Sequence, residues 1–181
     1  MRVTISGLPG SGTTSLTYHL ASAHRFDVIS AGEVFRQMAK EQGMSLGEFG
    51  AFCENDPSVD RLIDERQREI ALSQDQILVE GRLSGWMIPE ADLRIWLKAS
   101  LECRVKRILA RDQFADFDAA MQATAEREAS EALRYQQYYD IDIGSLDPYH
   151  LVLDTEMWTV EQLGRIVSTA LEALVAGRQV S

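Results

Sequence analysis

The sequence predicts an α/β fold in which a parallel sheet of five strands lies between layers of helices. Short apolar or β-branched segments alternate along the chain with longer amphipathic segments, the order typical of parallel strands joined by helical crossovers. A glycine-rich turn joins the first strand segment to the first helical segment. With 181 residues, 45% of them hydrophobic, the chain has the size and the core-forming content of one globular domain.

Five segments are predicted as strands because they are short, apolar and bounded by glycine or polar residues. They begin with the β-branched run RVTIS and include ILVE, LRIWL and LVLD. In chain order, the predicted strands are 2–6, 26–30, 77–80, 93–97 and 151–154.

Helical periodicity fills the spaces between these strands, with Gly43 and Pro57 acting as breaks. The predicted helices are 13–23, 31–42, 46–54, 59–73, 101–111, 118–139 and 160–176. Because the stretch 31–74 contains helices but no strand, we interpret it as an insertion beside the sheet.

The composition excludes several classes of partner. A formal net charge of −10 repels nucleic acid and anionic lipid, so neither is expected to bind. Two isolated cysteines, Cys53 and Cys103, indicate neither a disulfide framework nor a zinc site, which is typical of a reducing cytosol. Since the sequence contains no run of about 18 apolar residues and no basic leader, we expect a cytoplasmic protein without a membrane span.

The strongest motif is GLPGSGTTS, which follows the first predicted strand and opens the first predicted helix. In this context the pattern is typical of a P-loop, whose glycines let backbone N–H groups wrap around phosphate oxygens at a helix N-terminus. The motif therefore predicts that the chain binds a nucleoside triphosphate, with Mg²⁺ held by the Thr14 hydroxyl. Its residues are Gly7, Leu8, Pro9, Gly10, Ser11, Gly12, Thr13, Thr14 and Ser15.

One position departs from the P-loop pattern. Thr13 stands where a lysine normally supplies a point charge to the β- and γ-phosphates. We expect an arginine to supply that charge instead. A generic strand–helix turn that binds no phosphate is the alternative that this departure leaves open.

Two rows of arginine are predicted on helix faces. Arg104, Arg107 and Arg111 are three and four residues apart, and Arg127 and Arg134 are two helical turns apart. Such rows can close over a triphosphate and neutralise the charge that develops as a phosphoryl group is transferred. The acidic residues interleaved with them favour the alternative of a solvated face of mixed charge.

Further charged residues follow the predicted strands or lie on the inserted helices. Arg36 comes shortly after the second strand and Arg82 directly after the third, at the edge where parallel sheets bind ligands. Both are placed to meet the phosphate of an acceptor. Glu80 ends the third strand, where it can hold a Mg²⁺-bound water. Asp60 and Asp64, four apart on a predicted helix, can read the edge of a base or can simply be solvated.

Together these motifs resemble the nucleoside monophosphate kinases, and most closely the archaeal-type cytidylate kinases. The resemblance covers nearly the whole chain. It rests on the segments GLPGSGTTS (7–15), SAGEVFR (30–36), EGRLSGW (80–86), PEADLRIWLKAS (89–100), REASEALRYQQYYDID (127–142) and LVLDTEMWTVEQL (151–163).

The resemblance implies three parts and one reaction. A P-loop core would comprise residues 1–30, 75–110 and 135–181, with a monophosphate-binding insert at 31–74 and a lid at 111–134. The reaction would be phosphoryl transfer from ATP to CMP, and to dCMP, giving ADP and the diphosphate with Mg²⁺. The alternatives are a kinase for AMP, UMP or a non-nucleotide such as shikimate, or a nucleotide-binding regulator with little turnover.

The resemblance also implies residue roles. Gly32 and Arg36 would bind the acceptor, with Arg36 at its phosphate, and Arg82 would contact the acceptor nucleotide. The segment 154–158 would lie near the adenine of the donor. The arginines predicted to contact the phosphates being transferred are Arg104, Arg107, Arg127 and Arg134.

The resemblance fails at one point that concerns the base. Bacterial cytidylate kinases carry an aspartate directly after the arginine of the GR pair, where it helps to recognise cytosine. This chain has Leu83 there. We therefore expect Asp60 or Asp64 to take over the recognition of the base.

Overall fold

Five parallel strands form the central sheet, in the order β2-β3-β1-β4-β5. The computed structural model describes residues 1–54, 56–112 and 114–178. The strands are β1 (Arg2–Gly7), β2 (Asp27–Ser30), β3 (Ile77–Glu80), β4 (Leu93–Lys98) and β5 (Leu151–Asp154). The predicted α/β fold and its five strands are thereby confirmed.

Helices connect the strands. They are α1 (Thr13–His24), α2 (Ala31–Glu41), α3 (Leu46–Cys53), α4 (Pro57–Ser73), α5 (Ser84–Met87), α6 (Leu101–Arg111), α7 (Phe117–Tyr139) and α8 (Val160–Arg178). The sequence did not predict α5, because a single turn carries no apolar periodicity. Across the described ranges, none of these helices has the length and apolar character needed to cross a membrane.

The two faces of the sheet are covered by different helices. On one face α1 packs against α8, and the largest cluster of buried side chains lies there, with Ile5 of β1, Leu16 of α1 and Val167 of α8. On the other face α4 and α5 cover Val79 and Ile88. In β3, Leu78 enters the first core while Ile77 and Val79 enter the second, as the period of two of a β-strand requires.

Polar residues set where α3 and α4 begin. Ser45 and Glu48 form a capping box at the start of α3. The side chain of Asp56 caps α4 by accepting a hydrogen bond from the backbone N–H of Ser58. Helix α4 therefore begins at Pro57, two residues before the predicted start, because proline fits the first helical position and does not end the helix there.

Helix α7 lies between α6 and α3. It packs against α6 on one side and against α3 on the other. Helices α2 and α3 bury a small core of their own around Ala39, Phe49 and Cys53. The arginines of α7 therefore belong to a helix held between α6 and α3.

The strand register brings the ends of the strands to one edge of the sheet. Ile5 of β1 and Ser30 of β2 both align with Glu80, the last residue of β3. Gly7, the last residue of β1, aligns with Leu97 of β4. Because the strands are parallel, the loops that follow them meet at this edge, where ligands bind in such folds.

Candidate functional site

The turn between β1 and α1 has the backbone geometry of an anion cradle. Gly10 and Gly12 adopt φ values of 80° and 97°, in the left-handed region that glycine tolerates best. A Cβ atom at Gly10 would lie 2.6 Å from the carbonyl oxygen of Arg104. The turn can therefore keep this shape only with glycine at position 10, and it leads directly into the N-terminus of α1.

Arg104 of α6 supports the turn from its buried side. Its Nη1 atom donates to the carbonyl oxygen of Pro9 at 3.1 Å, and its Nε atom donates to the carbonyl oxygen of Ala99. The guanidinium is 6% exposed and also forms an ion pair with Glu128 of α7. These contacts fix the backbone of the turn relative to α6 and α7.

Arg107, one turn further along α6, holds the same loop together with Thr155. Its Nη1 atom donates to the carbonyl oxygen of Gly10 at 3.3 Å and to the Thr155 hydroxyl at 2.9 Å. That hydroxyl in turn donates to the carbonyl oxygen of Ser11 at 2.9 Å. Because carbonyl oxygens of the turn bind these donors, N–H groups that point the other way are left for an anion. Sequence reasoning placed Thr155 only within the segment 154–158 expected near the adenine, and did not single out its contact with the turn.

The carboxylate of Glu80 lies beside the first residues of α1. It accepts hydrogen bonds from the Thr13 hydroxyl at 2.6 Å, from the Thr14 hydroxyl at 3.5 Å and from the Ser30 hydroxyl. Glu80 is 4% exposed, and within the described ranges no lysine or arginine forms an ion pair with it. A buried carboxylate bonded only to hydroxyls still favours the approach of a cation.

Two clefts meet at the glycine-rich turn. The outer cleft encloses about 750 Å³ and is lined by the turn, the start of α1, Arg107 and Trp158. The inner cleft encloses about 70 Å³ between the turn, α2, α4 and α7. Gly10, Thr13, Thr14, Arg36 and Arg111 line both clefts. The outer cleft has the volume of a nucleotide site, whereas the inner one is narrow in this conformation.

Glu131 joins two arginines of the inner cleft. Its two carboxylate oxygens accept from Nε of Arg82 at 2.8 Å and from Nε of Arg127 at 2.8 Å. Burial opposes ionisation of Glu131, but the two guanidinium groups outweigh it and lower its pKa to about 2. Arg82 also donates to the carbonyl oxygen of Gly7, so this charged group lies next to the turn. Sequence reasoning placed Glu131 on a face of mixed charge; its spacing of four from Arg127 was the available signal.

Two aspartates of α4 line the inner cleft, each held by a side chain of α7. The Oδ2 atom of Asp60 accepts from Nε of Arg134 at 2.7 Å, in an ion pair whose side chains are 7% and 2% exposed. Asp64 accepts from the Tyr139 hydroxyl at 2.8 Å. Burial raises the pKa of Asp64 to about 7, although the hydrogen bond from Tyr139 opposes that change.

The arginines that line both clefts are held more loosely. Arg36 is half-buried on α2, and this burial lowers the pKa of its guanidinium. Arg111, in the last turn of α6, binds the adjacent Asp112 through Nε at 2.8 Å and Nη2 at 2.7 Å. Its side chain is 51% exposed, and an exposed pair of this kind stabilises a protein by at most about 1 kcal/mol. Little energy is therefore needed to release Arg111 from Asp112.

The predicted site residues are distributed over both clefts. Gly32, Arg36, Asp60, Asp64 and Arg82 come together around the inner cleft, as do Thr14 and Glu80. Of the arginines predicted to contact phosphate, Arg127 and Arg134 line the inner cleft and Arg107 the outer cleft. Arg104 lies against the backbone of the turn. That these four arginines touch the transferred phosphates stays a prediction.

Comparison with known proteins places the chain among nucleotide kinases. A model of the cytidylate kinase-like family matches residues 2–157. The chain is 80% identical to a cytidylate kinase of Methanospirillum hungatei JF-1 over 174 residues, which cover 96% of this chain and 98% of the relative. It is 62% identical to a cytidylate kinase of Methanosphaerula palustris, over 96% of this chain and 99% of that one.

A solved structure shows the same fold at low sequence identity. A gluconokinase of Sinorhizobium meliloti 1021 superimposes with a TM-score of 0.63 at 15% identity, over 99% of this chain and 95% of that chain. The similarity to this kinase concerns the fold, whereas the family model and the close relatives concern the sequence itself. On that sequence evidence, the chain belongs to the cytidylate kinase-like family.

Proposed function

We propose that the protein transfers the γ-phosphoryl group of ATP to CMP, giving ADP and CDP, and that dCMP is a second acceptor. The observation that carries this proposal is the pair of clefts that share one glycine-rich turn. One cleft has the volume of a nucleotide site, and the other combines arginines with carboxylates that can bind a phosphate and a base. The high identity to curated cytidylate kinases supports the choice of acceptor.

The chemistry needs alignment and positive charge. An oxygen of the CMP phosphate attacks the γ-phosphorus of ATP, and the bond from that phosphorus to the β–γ bridging oxygen breaks, so that ADP leaves with the electron pair. Because the attacking oxygen is already anionic, no general base is required. Arg36, Arg82 and Arg127 supply positive charge on the acceptor side, where they stabilise the transferring group.

ATP binds in the outer cleft. The N–H groups of the turn and the N-terminus of α1 hold its phosphates. Trp158, which is 45% exposed and lines this cleft, offers a flat apolar surface for the adenine within the segment 154–158. Arg104 and Arg107 act on the donor phosphates by holding the turn in shape.

Mg²⁺ fits the oxygen atoms of Thr14 and Glu80. Glu80 is buried among hydroxyls without a counter-ion among the described residues, which suits a divalent cation. In the described part of the chain, no group of three or more His, Cys, Asp or Glu side chains could hold a metal ion. Magnesium in kinases needs no such group, since phosphate oxygens and water complete its coordination. When bound, it would neutralise charge on the β- and γ-phosphates.

CMP binds in the inner cleft, with Gly32 and Arg36 at its phosphate and Asp60 or Asp64 at the amino group of cytosine. The inner cleft encloses about 70 Å³, far below the roughly 300 Å³ at which ligand pockets begin. We therefore infer that the insert at 31–74 and the lid at 111–134 move apart from the core at 1–30, 75–110 and 135–181 to admit the acceptor. Their closure then excludes water, which would otherwise hydrolyse ATP.

An acceptor panel tests this function. ADP release is measured with ATP and Mg²⁺ while CMP, dCMP, UMP, AMP and shikimate are offered one at a time. We expect the highest kcat/KM with CMP and dCMP. Equal rates with CMP, UMP and AMP would exclude a cytosine-specific site, and ATP binding without turnover would favour a regulator. The Gly10→Ala variant, whose added Cβ collides with the Arg104 carbonyl oxygen, is the turn-defective control.

The proposed function also includes the partners of the protein and the compartment in which it acts. A net charge of −10 disfavours nucleic acid and membranes as partners. The substrates are small nucleotides of the cytoplasm, and we propose that the protein acts there.

A further inference from the structure

Thr155 stands where the sheet meets the glycine-rich turn. It directly follows β5, is 2% exposed and lines the outer cleft together with Trp158. Its backbone N–H donates to the carbonyl oxygen of Lys98, the last residue of β4, at 2.9 Å. The edge of the sheet therefore holds the backbone of Thr155 in place and fixes where its side chain begins.

The Thr155 hydroxyl is the middle of a hydrogen-bond chain whose direction is fixed. It accepts from Nη1 of Arg107 at 2.9 Å and lies 2.9 Å from the carbonyl oxygen of Ser11. The carbonyl oxygen of Lys98, a second acceptor within reach, is farther away at 3.3 Å. Because a guanidinium can only donate and a carbonyl oxygen can only accept, the single proton of the hydroxyl goes to Ser11.

The bond to Ser11 sets the orientation of the next peptide group. In a trans peptide the C=O and N–H groups point in opposite directions, so fixing the Ser11 carbonyl oxygen turns the N–H of Gly12 away from Thr155. Gly12 is the N-cap of α1 and has a φ of 97°. Since glycine tolerates more backbone orientations than other residues, local sterics hold this peptide group only weakly. The hydrogen bond from Thr155 supplies the restraint.

Arg107 alone is a poor substitute for the hydroxyl. Its Nη1 atom lies 3.5 Å from the carbonyl oxygen of Ser11, beyond the usual range of an N–H···O bond. The same atom already donates to the carbonyl oxygen of Gly10 at 3.3 Å. Removal of the hydroxyl should therefore free the peptide group between Ser11 and Gly12 to rotate.

We propose that Thr155 is a positioning residue for the phosphoryl donor. Through Ser11 it aims the N–H of Gly12 at an oxygen of the triphosphate, the kind of anion that a helix N-terminus binds. The proposal rests on the binding of ATP in the outer cleft argued above, whichever acceptor is used. Because Thr155 acts through the turn, its effect should be confined to the donor.

The test separates the hydroxyl of Thr155 from its methyl group. Thr155→Val keeps the shape of the side chain and removes the hydroxyl, whereas Thr155→Ser keeps the hydroxyl. Calorimetric titration with Mg²⁺ and the non-hydrolysable β,γ-imido analogue of ATP measures affinity without turnover. The Kd should rise about 10- to 100-fold in Thr155→Val, the value of one hydrogen bond to a charged group. In Thr155→Ser it should stay within about threefold of the parental Kd.

Steady-state kinetics supplies a readout that a general loss of structure would not give. Thr155→Val should lower kcat/KM for ATP at least about tenfold, while KM for CMP changes by less than about threefold. Thr169→Val is the matched control, because it removes a threonine hydroxyl that donates to the carbonyl oxygen of Arg165 on α8 at 3.0 Å. Thr169 lines neither cleft, and its substitution should keep both constants within about twofold of the parent.

A Kd for the analogue within about twofold of the parent in Thr155→Val overturns the inference. An equal loss of affinity in Thr155→Ser also overturns it, because the methyl group would then be responsible. A rise in KM for CMP as large as the rise for ATP would show a general disturbance of the fold instead. If urea unfolding shows that Thr155→Val is not folded, Thr155→Cys, whose thiol is only a weak donor, takes its place with the same expectations. A parent that binds the analogue but phosphorylates no acceptor contradicts the proposed function alone.

Discussion

A hydrogen bond of 2.6 Å from the Thr13 hydroxyl to the Glu80 carboxylate ties the start of α1 to the end of β3. The neighbouring Thr14 hydroxyl approaches the same carboxylate oxygen at 3.5 Å. A lysine at position 13 would put an ammonium group in this place, whereas threonine offers the Glu80 carboxylate only a neutral hydroxyl. Activity at this site should therefore depend on a divalent cation more strongly than activity does at a P-loop that has the usual lysine.

The Glu80→Gln substitution should expose this dependence. Glutamine keeps the size of the side chain and can still bind the hydroxyls, but it carries no charge to hold Mg²⁺ or its water. We expect the Mg²⁺ concentration for half-maximal rate to rise at least about tenfold, equivalent to about 1.4 kcal/mol of binding. This concentration is measured by titrating Mg²⁺ at saturating ATP and CMP.

Glu90→Gln is the control for that titration. Glu90 is an exposed glutamate whose pKa is lowered by hydrogen bonding to Arg68, and it lines neither cleft. The Glu90→Gln variant should need the same Mg²⁺ concentration for half-maximal rate as the parent. An unchanged Mg²⁺ requirement in Glu80→Gln would remove Glu80 from the metal site.

Arg36→Ala should weaken the use of CMP more than the use of ATP. A charge-assisted hydrogen bond to phosphate contributes about 1.5–3 kcal/mol, so KM for CMP should rise roughly 10- to 150-fold. Steady-state kinetics with each substrate varied in turn separates the two effects. Arg165→Ala, on the exposed side of α8, is the control. An increase confined to KM for ATP would place Arg36 on the donor side.

Local patterns made most of the fold predictable. The strand at Ile77–Glu80 and the helix at Leu101–Arg111 have the predicted bounds, because apolar alternation and helical spacing are written in adjacent residues. The glycine-rich turn was recognised from its spacing and from the strand and helix on either side. A single helical turn such as α5 carries no apolar period, so no local pattern predicts it.

Partners far apart in the chain were beyond prediction. Spacing places Arg127 and Glu131 on one face of α7, but it does not reveal that Arg82, 49 residues before Glu131, completes the group. In the same way Arg104 is recognisable as an arginine on a helix face. Its bond to the carbonyl oxygen of Pro9 depends on how α6 packs against the turn, which no local pattern encodes.

The preference for CMP over UMP should depend on pH through Asp64. An ionised carboxylate can accept from the amino group of cytosine, whereas a protonated one can donate to the O4 atom of uracil. With a pKa raised to about 7 by burial, Asp64 is ionised at pH 8 and largely protonated at pH 6. We expect the ratio of kcat/KM for CMP to kcat/KM for UMP to fall about 2- to 10-fold as the pH is lowered from 8 to 6. A change of this size corresponds to the net free energy of one hydrogen bond.

The charged groups near Asp64 must be considered in that experiment. They are Asp60 on α4 and Arg134 on α7, and the neutral Tyr139 hydroxyl acts beside them through its hydrogen bond. Asp64→Asn should remove the dependence on pH and lower the ratio at pH 8, whereas Tyr139→Phe, which removes the hydrogen bond that lowers the pKa, should move the midpoint to higher pH. If Asp64→Asn retains the parental ratio at both pH values and Asp60→Asn loses it, the base is read by Asp60.

Glu131→Gln should destabilise the protein and flatten its stability at acid pH. Removing the charge leaves Arg82 and Arg127 buried without their shared counter-ion, a loss of about 3 kcal/mol in the free energy of unfolding at pH 7. The pKa of Glu131 falls from an ordinary value of 4.5 to about 2 in the folded protein, so the unfolded chain binds the extra proton between these values. The stability that Glu131 provides is therefore complete above pH 4.5 and is lost as pH falls towards 2.

Urea unfolding at a series of pH values should show this loss in the parent and in the control Glu126→Gln, an exposed residue of the same helix, but not in Glu131→Gln. Parallel curves for Glu131→Gln and the parent would mean that another carboxylate neutralises the two arginines.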